Sequence, residues 1–151
     1  MGTYRDVGWT SSREGITARQ YAVAERALRE LRERGATHFH HGDCVNGDEA
    51  GAMIAVELGY VLISHPPENP KLRAYITPAF YVCRPLPYLI RNQAIVDCSD
   101  VVVACPKSPH ADRSGTWRTL RMARNGAADY IAIWPDGGVV QRGCEWIEVP
   151  S

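Results

Sequence analysis

The chain has 151 residues, 45% hydrophobic and 23% charged, with 17 Lys and Arg balancing 17 Asp and Glu. This size and composition fit a single globular domain over 1–151 with a substantial core, and no linker, repeat or low-complexity tract divides it. The zero formal net charge argues against broad electrostatic capture of nucleic acid, which draws on an excess of Lys and Arg.

Residues 4–10 read as a first strand with Val7 and Trp9 apolar, and residues 11–15 as its exit loop. Thr17 and Gln20 fit a capping box, and a helix to about Arg34 carries Tyr21, Ala24, Ala27, Leu28 and Leu31 on its core face. Gly35 is expected to end it as a left-handed cap. Residues 38–41 form the next strand, 42–48 its exit loop, and about 49–58 a second helix with Met53, Ile54, Val56 and Leu58 apolar, ending at Gly59. Residues 60–64 are a third strand. Residues 66–87, rich in Pro and aromatics, are an irregular excursion suited to a lid or an interface. Pro87 fits the first turn of a third helix.

The apolar run 101–104 is a fully buried strand. A polar loop, 105–113, leads to Ser114-Gly115-Thr116 and a fourth helix with Trp117, Leu120, Met122 and Ala123 on or near one face. Gly126 stops that helix, 130–134 form a fifth strand, and 137–149 a short C-terminal ribbon packed by Trp146. Strands alternating with helices predict a Rossmann-like, doubly wound α/β fold: a parallel sheet of about five strands, right-handed crossovers, and helices on both faces.

In such sheets ligands gather at the carboxyl edge, where strand order reverses. The exit loops meeting there carry Arg13, residues 43–48, His65 and residues 114–116. The first N–H groups of the fourth helix lack intrahelical acceptors, and the helix dipole favours negative charge beside them. Gly115 permits close approach and Ser114 and Thr116 add hydroxyls, although Ser114 also suits a simple N-cap. An anion site is therefore expected.

Five cysteines, Cys44, Cys83, Cys98, Cys105 and Cys144, lack CxxC spacing and suit free thiols in a reducing compartment. With no membrane-spanning apolar run and no signal peptide, a cytoplasmic protein is expected. His38, His40, His41 and Cys44 invite a metal reading, but His41 points away from the face shared by His38 and His40. No metal and no cofactor is expected.

Four stretches carry a family resemblance: GWTSSREG at 8–15, HHGDCVNGDEAGAMIAVELG at 40–59, PYLIRNQAIVDCSDVVVACP at 87–106, and SGTWRTLRMAR at 114–124. Together they resemble the SLOG superfamily of Rossmann-like nucleotide-binding domains, most closely its small stand-alone branch of YspA- and YpsA-related proteins. The resemblance implies a pocket for a nucleotide or nucleotide-derived ligand, acting as sensor or sequestering module, and a homo-oligomer, since LOG-type relatives commonly dimerise. It implies ligand-binding roles for Gly8, Ser11, Arg13, Gly42, Asp43, Asp48, Arg91, Asn92, Ser114, Gly115 and Thr116. In LOG-type phosphoribohydrolases an Arg matching Arg91 and a closing Glu serve cleavage of an N-glycosidic bond. Here the closing Glu is replaced by Thr119, and residues 107–113 interrupt the Gly-rich motif. Asn46-Gly47-Asp48 stands where relatives commonly show Gly-Ala-Asp. Oxocarbenium-like cleavage needs a carboxylate, so if the chain is an enzyme the catalytic candidates are Arg91, Asp43 and Asp48. The related DprA proteins bind single-stranded DNA, a role the charge balance disfavours.

Each residue also has a plainer role. Arg91 is expected to contact phosphate in preference to pairing structurally with Asp97 or Asp100. Asn92 either meets ligand or ties its helix to a strand. Asp43 and Asp48 suit ribose hydroxyls, and Asp48 equally suits an N-cap. Trp117 belongs in the core unless it stacks on a base.

Overall fold

The protein, here as a computed structural model, is described over residues 4–147. Its elements are β1 (Asp6–Ser11), α1 (Ala18–Glu33), β2 (His38–His41), α2 (Gly47–Glu57), β3 (Val61–Ser64), β4 (Tyr81–Val82), α3 (Tyr88–Asp97), β5 (Val101–Cys105), α4 (Gly115–Asn125), β6 (Asp129–Ile133) and β7 (Val139–Arg142). The sheet order is β4-β3-β2-β1-β5-β6-β7, parallel from β4 to β6 and antiparallel only between β6 and β7. The α/β class is as expected, but the sheet has seven strands, not about five. The two additional strands are β4, two residues drawn from the excursion, and β7, the first arm of the C-terminal ribbon. A two-residue strand shows no alternation for a sequence pattern to reveal.

Alternation along each strand builds a core on both faces. Val7 and Trp9 of β1, Phe39 of β2 and Val101, Val103 and Cys105 of β5 share one cluster with Ala24, Ala27, Leu28 and Leu31 of α1 and Ile54 of α2. Val102 and Ala104 point the other way, toward Ala123, Trp117 and Leu120 of α4.

The Thr17 box is present: Thr17 Oγ1 accepts from Gln20 N and Gln20 Oε1 from Thr17 N, each at 3.0 Å. Gln20 is 1% exposed, and its amide also donates to Pro106 O at 2.7 Å and Ile133 O at 2.9 Å. One residue thereby closes a helix start and pins the exits of β5 and β6. Gly35 sits at φ +104, the left-handed stop expected. On α2, Met53 and Val56 are exposed, so its apolar residues do not all face the core.

Candidate functional site

β1 lies between β2 and β5, and the chain winds outward from it in both directions. The carboxyl ends of β1 and β5 are therefore the point where strand order reverses. A cavity of about 340 Å³ opens there, lined by Ser11, Ser12, Arg13 and Glu14, by Lys107, by Tyr88, and by Ser114, Gly115 and Thr116. Ser114 is the N-cap of α4, its hydroxyl accepting from Trp117 N at 3.3 Å, so the plain capping role is real. Its own N–H donates to Asp112 Oδ1 at 2.8 Å. The N–H groups of Gly115 and Thr116, first in the helix, have no intrahelical acceptor. Lys107 and Glu14 approach at 3.8 Å on the surface, a pair too exposed to hold either side chain firmly.

Behind this cavity is a second space of only about 20 Å³, reached by Ser11, Gly42, Asp48, Arg91, Asn92, Thr116 and Thr119. Tyr88 borders both. The guanidinium carbons of Arg13 and Arg91 each lie 4.9 Å from its ring centroid, within cation–π range. Any side chain at position 115 would collide with the Tyr88 hydroxyl, so Gly115 is needed for Tyr88 to sit against the helix start. Tyr88 and Lys107 were not singled out from the sequence. Tyr88 stands at the start of the 87–106 stretch and Lys107 in the segment that interrupts the Gly-rich motif, and only the folded rim brings them beside residues 11–14 and 114–116.

Arg91 is 3% exposed and pairs with neither Asp97 nor Asp100. Its Nε donates to Asn92 Oδ1 at 2.9 Å, and Nη1 donates to Gly42 O and to His65 O at 3.2 Å. Nη2 reaches Cys44 Sγ at 3.8 Å. The guanidinium thus braces the loops after β2 and β3 and shows its remaining edge to the inner space. Asp100 instead accepts the N–H groups of Arg5 and Asp6, both at 2.9 Å. Asn92 is 5% exposed. Its Oδ1 holds Arg91, while its buried Nδ2 has no partner among the described residues. An unpaired donor of this kind costs roughly 1–3 kcal/mol.

The two acidic candidates separate. Asp43, at φ 56, turns its carboxylate to the excursion, pairing with Arg73 Nε at 2.6 Å and accepting from Ile76 N at 2.7 Å. It lines neither space. Asp48 is not the N-cap of α2, a position held by Asn46. Its Oδ2 accepts from Gly42 N at 3.1 Å and Cys44 N at 3.0 Å, and Oδ1 faces Ser11 Oγ at 3.5 Å. Burial pushes its carboxyl up to about 6, although those two N–H groups and Arg91 pull the other way. Gly42 must be small, because a Cβ there would meet Arg91 Nη1 at 2.8 Å and Asp48 Oδ2 at 3.1 Å.

Gly8 lies away from the rim. A Cβ there would strike Ser99 Oγ and meet Ile95 Cγ2 at 3.2 Å, so its role is to let α3 lie on the sheet. Trp117 is core: it stacks on Trp134 with centroids 5.6 Å apart, and its Nε1 donates to Ser108 O at 3.0 Å. Thr119 borders the inner space and donates to Gly115 O at 2.8 Å. All five cysteines are free thiols. Among the described residues no helix is long and apolar enough to cross a membrane.

No protein-family model and no curated protein matches the sequence. The fold is similar to that of several solved structures. A molybdenum cofactor binding protein from the phototrophic bacterium Rippkaea orientalis superposes with a TM-score of 0.66 at 20% identity, over 86% of this chain and 76% of that one. DNA processing protein A (DprA) from Streptococcus pneumoniae gives 0.63 at 20% identity, over 95% of this chain and 53% of that one. The structural-genomics target TM1055 gives 0.55 at 16% identity, over 79% and 68%. The chain shares with these structures a Rossmann-like α/β fold.

Proposed function

We propose that the chain binds a nucleotide or another nucleotide-derived phosphorylated small molecule at the carboxyl edge of its sheet, as a sensor or sequestering module. The observation that carries this reading is the 340 Å³ cavity in which Arg13 and Lys107 join the open start of α4. Two cations and two amides without intrahelical acceptors suit a phosphate, and the volume falls within the range of small-ligand sites. Asn92, with its spare buried donor, supplies a polar contact deeper in. Small-molecule binding on this fold is supported by the structural neighbour described as a molybdenum cofactor binding protein. Nucleic acid is left out of the reading, because the formal net charge is zero.

Calorimetric titration with mononucleotides, NAD derivatives and cyclic nucleotides tests this. At least one is expected to bind, with Lys107→Ala and Arg13→Ala each weakening it by about tenfold, the loss of one charge-assisted contact. Silence across the whole set removes the proposal.

A second reading, hydrolysis of the N-glycosidic bond of a nucleoside monophosphate or related nucleotide, is favoured by Asp48. This is a buried carboxyl at the inner space whose value near 6 suits proton transfer close to neutrality. Free base released by the native chain, and not by Asp48→Asn or Arg91→Ala, supports hydrolysis; binding without release leaves the sensor reading alone. Self-association belongs to the same proposal. Tyr75, Phe80, Tyr81 and Val82 of the excursion and Leu89 and Ile90 of α3 are exposed, an apolar surface suited to a second copy. A monomeric mass in light scattering at tens of micromolar would count against it.

A further inference from the structure

On the sheet face covered by α3, away from the cavity at the rim, three metal-ligating side chains converge. His40 is the register partner of Gly8 in β1 and of Ile63 in β3. His65 lies two positions beyond Ile63, so strand alternation sends it to the same face. Because Gly8 has no side chain, α3 packs close there and brings Cys98, its C-cap, down to the sheet. One ring nitrogen from each of His40 and His65 and the Sγ of Cys98 lie within 4.8 Å of one another. None of the three lines either space at the rim. The sequence offered His38, His41 and Cys44 as His40's companions, and the fold replaces all three.

We propose that His40, His65 and Cys98 form a binding site for a divalent transition metal, zinc foremost, with Asp6 orienting His40 from behind. Asp6 Oδ1 is 2.8 Å from His40 Nε2. A carboxylate there accepts, which keeps the His40 proton on Nε2 and leaves the Nδ1 lone pair facing His65 Nε2 at 2.8 Å. A ligating histidine whose other nitrogen donates to a carboxylate is the usual outer-shell arrangement of a zinc site. Two imidazoles and a thiolate are a donor set that zinc favours.

The movements required are small. Tetrahedral zinc with ordinary bond lengths sets its nitrogen ligands about 3.3 Å apart and nitrogen and sulfur about 3.6 Å apart. The two rings separate by roughly half an ångström from their 2.8 Å contact, and Cys98, exposed at a helix end, swings inward to complete the set. In the metal-free chain His65 Nε2–H donates to His40 Nδ1. On binding, His65 shifts its proton through solvent to its own Nδ1, His65 Nε2 and His40 Nδ1 take the metal, and the Cys98 thiol loses its proton to solvent. Both imidazoles are held below their ordinary range by burial, so they stand neutral and ready at pH 7. The fourth position faces solvent beside Cys98 and is filled by water.

This metal would clip the C-terminal end of α3 to β2 and to the segment after β3. Because α3 also carries Arg91 and Asn92, and Arg91 holds the His65 carbonyl, the clip steadies the frame of the rim without joining its chemistry.

The test uses the untagged chain, reduced, stripped with a chelator, exposed to zinc and dialysed. About one zinc per chain is expected by elemental analysis. Cobalt(II) in its place should give the strong visible bands of a tetrahedral ion and a thiolate charge-transfer band. Cys98→Ser, an exposed position, should abolish the charge-transfer band and weaken zinc binding at least about tenfold. His65→Asn should do the same where circular dichroism shows it folded. His110→Ala, on the exposed loop after β5, should keep the full signal. Zinc that does not survive dialysis, or that binds Cys98→Ser with native affinity and no change in the cobalt spectrum, overturns the proposal.

Discussion

Arg91→Ala is expected to lower the free energy of unfolding by about 3–5 kcal/mol. The guanidinium is buried and braces two backbone carbonyls, Gly42 O and His65 O, together with Asn92 Oδ1. Truncation leaves all three acceptors without their donor. It also removes the cation that draws the Asp48 carboxyl downward, so Asp48 becomes harder to ionise. Arg91→Lys keeps the charge but loses the planar fork, and cannot brace both loops while holding Asn92. Its cost should fall between the native chain and the alanine variant. Urea unfolding followed by fluorescence of the four tryptophans measures both. A loss below about 1 kcal/mol for alanine, the level of an ordinary surface change, would show that Arg91 is free for ligand and is not a brace.

Acidification should destabilise the chain between pH 6.5 and 4, and Asp48→Asn should make the loss steeper. His41 is fully buried, and burial pushes its imidazole to about 4, as it does for His65. Unfolded, both take up protons below about 6.5; folded, they stay neutral until about 4. The unfolded chain therefore binds more protons through that window, and stability falls with falling pH by about 3 kcal/mol for each histidine. His40, lowered in the same direction, adds to the loss. Asp48 acts oppositely. Its folded value of about 6 lies above the ordinary 3.8, so the folded chain holds a proton that the unfolded chain releases. That contributes about 3 kcal/mol of stability in full, most of it regained as pH falls from 6 to 4. The net loss from these three groups should be about 3 kcal/mol in the native chain and about 6 in Asp48→Asn, with His40 deepening both. Denaturant titrations at stepped pH, with chelator present so that bound metal does not hold the histidines neutral, test both figures. Equal stability at pH 6.5 and 4.5, or identical slopes in the two chains, would overturn the assignment.

Much of the frame was legible. The Thr17–Gln20 box, the Gly35 stop and the buried run of β5 are local patterns, and each formed where its residues dictated. So did the alternation that fixes a parallel sheet with helices on both faces. The rim was legible in part. Arg13, Ser114, Gly115 and Thr116 meet at one cavity. Arg91, Asn92 and Asp48 meet behind it. Gly8 and Asp43 serve packing and the excursion instead.

By itself, then, the sequence determined the four helices and the five central strands, that those five lie parallel, and which loops share their carboxyl edge. Those properties follow from periodicity and capping within a dozen residues. Only the tertiary structure decided what each charged group faces. Arg91 found carbonyls, which every residue carries and no sequence pattern marks. Tyr88 came to rest against Gly115 because that position lacks a side chain. His40 met His65 and Cys98, and not His38 or Cys44, because strand register and the close seat of α3 on Gly8 set distances across the chain. Side-chain chemistry is written residue by residue, whereas the partner of a buried polar group is fixed by packing between elements far apart in the chain.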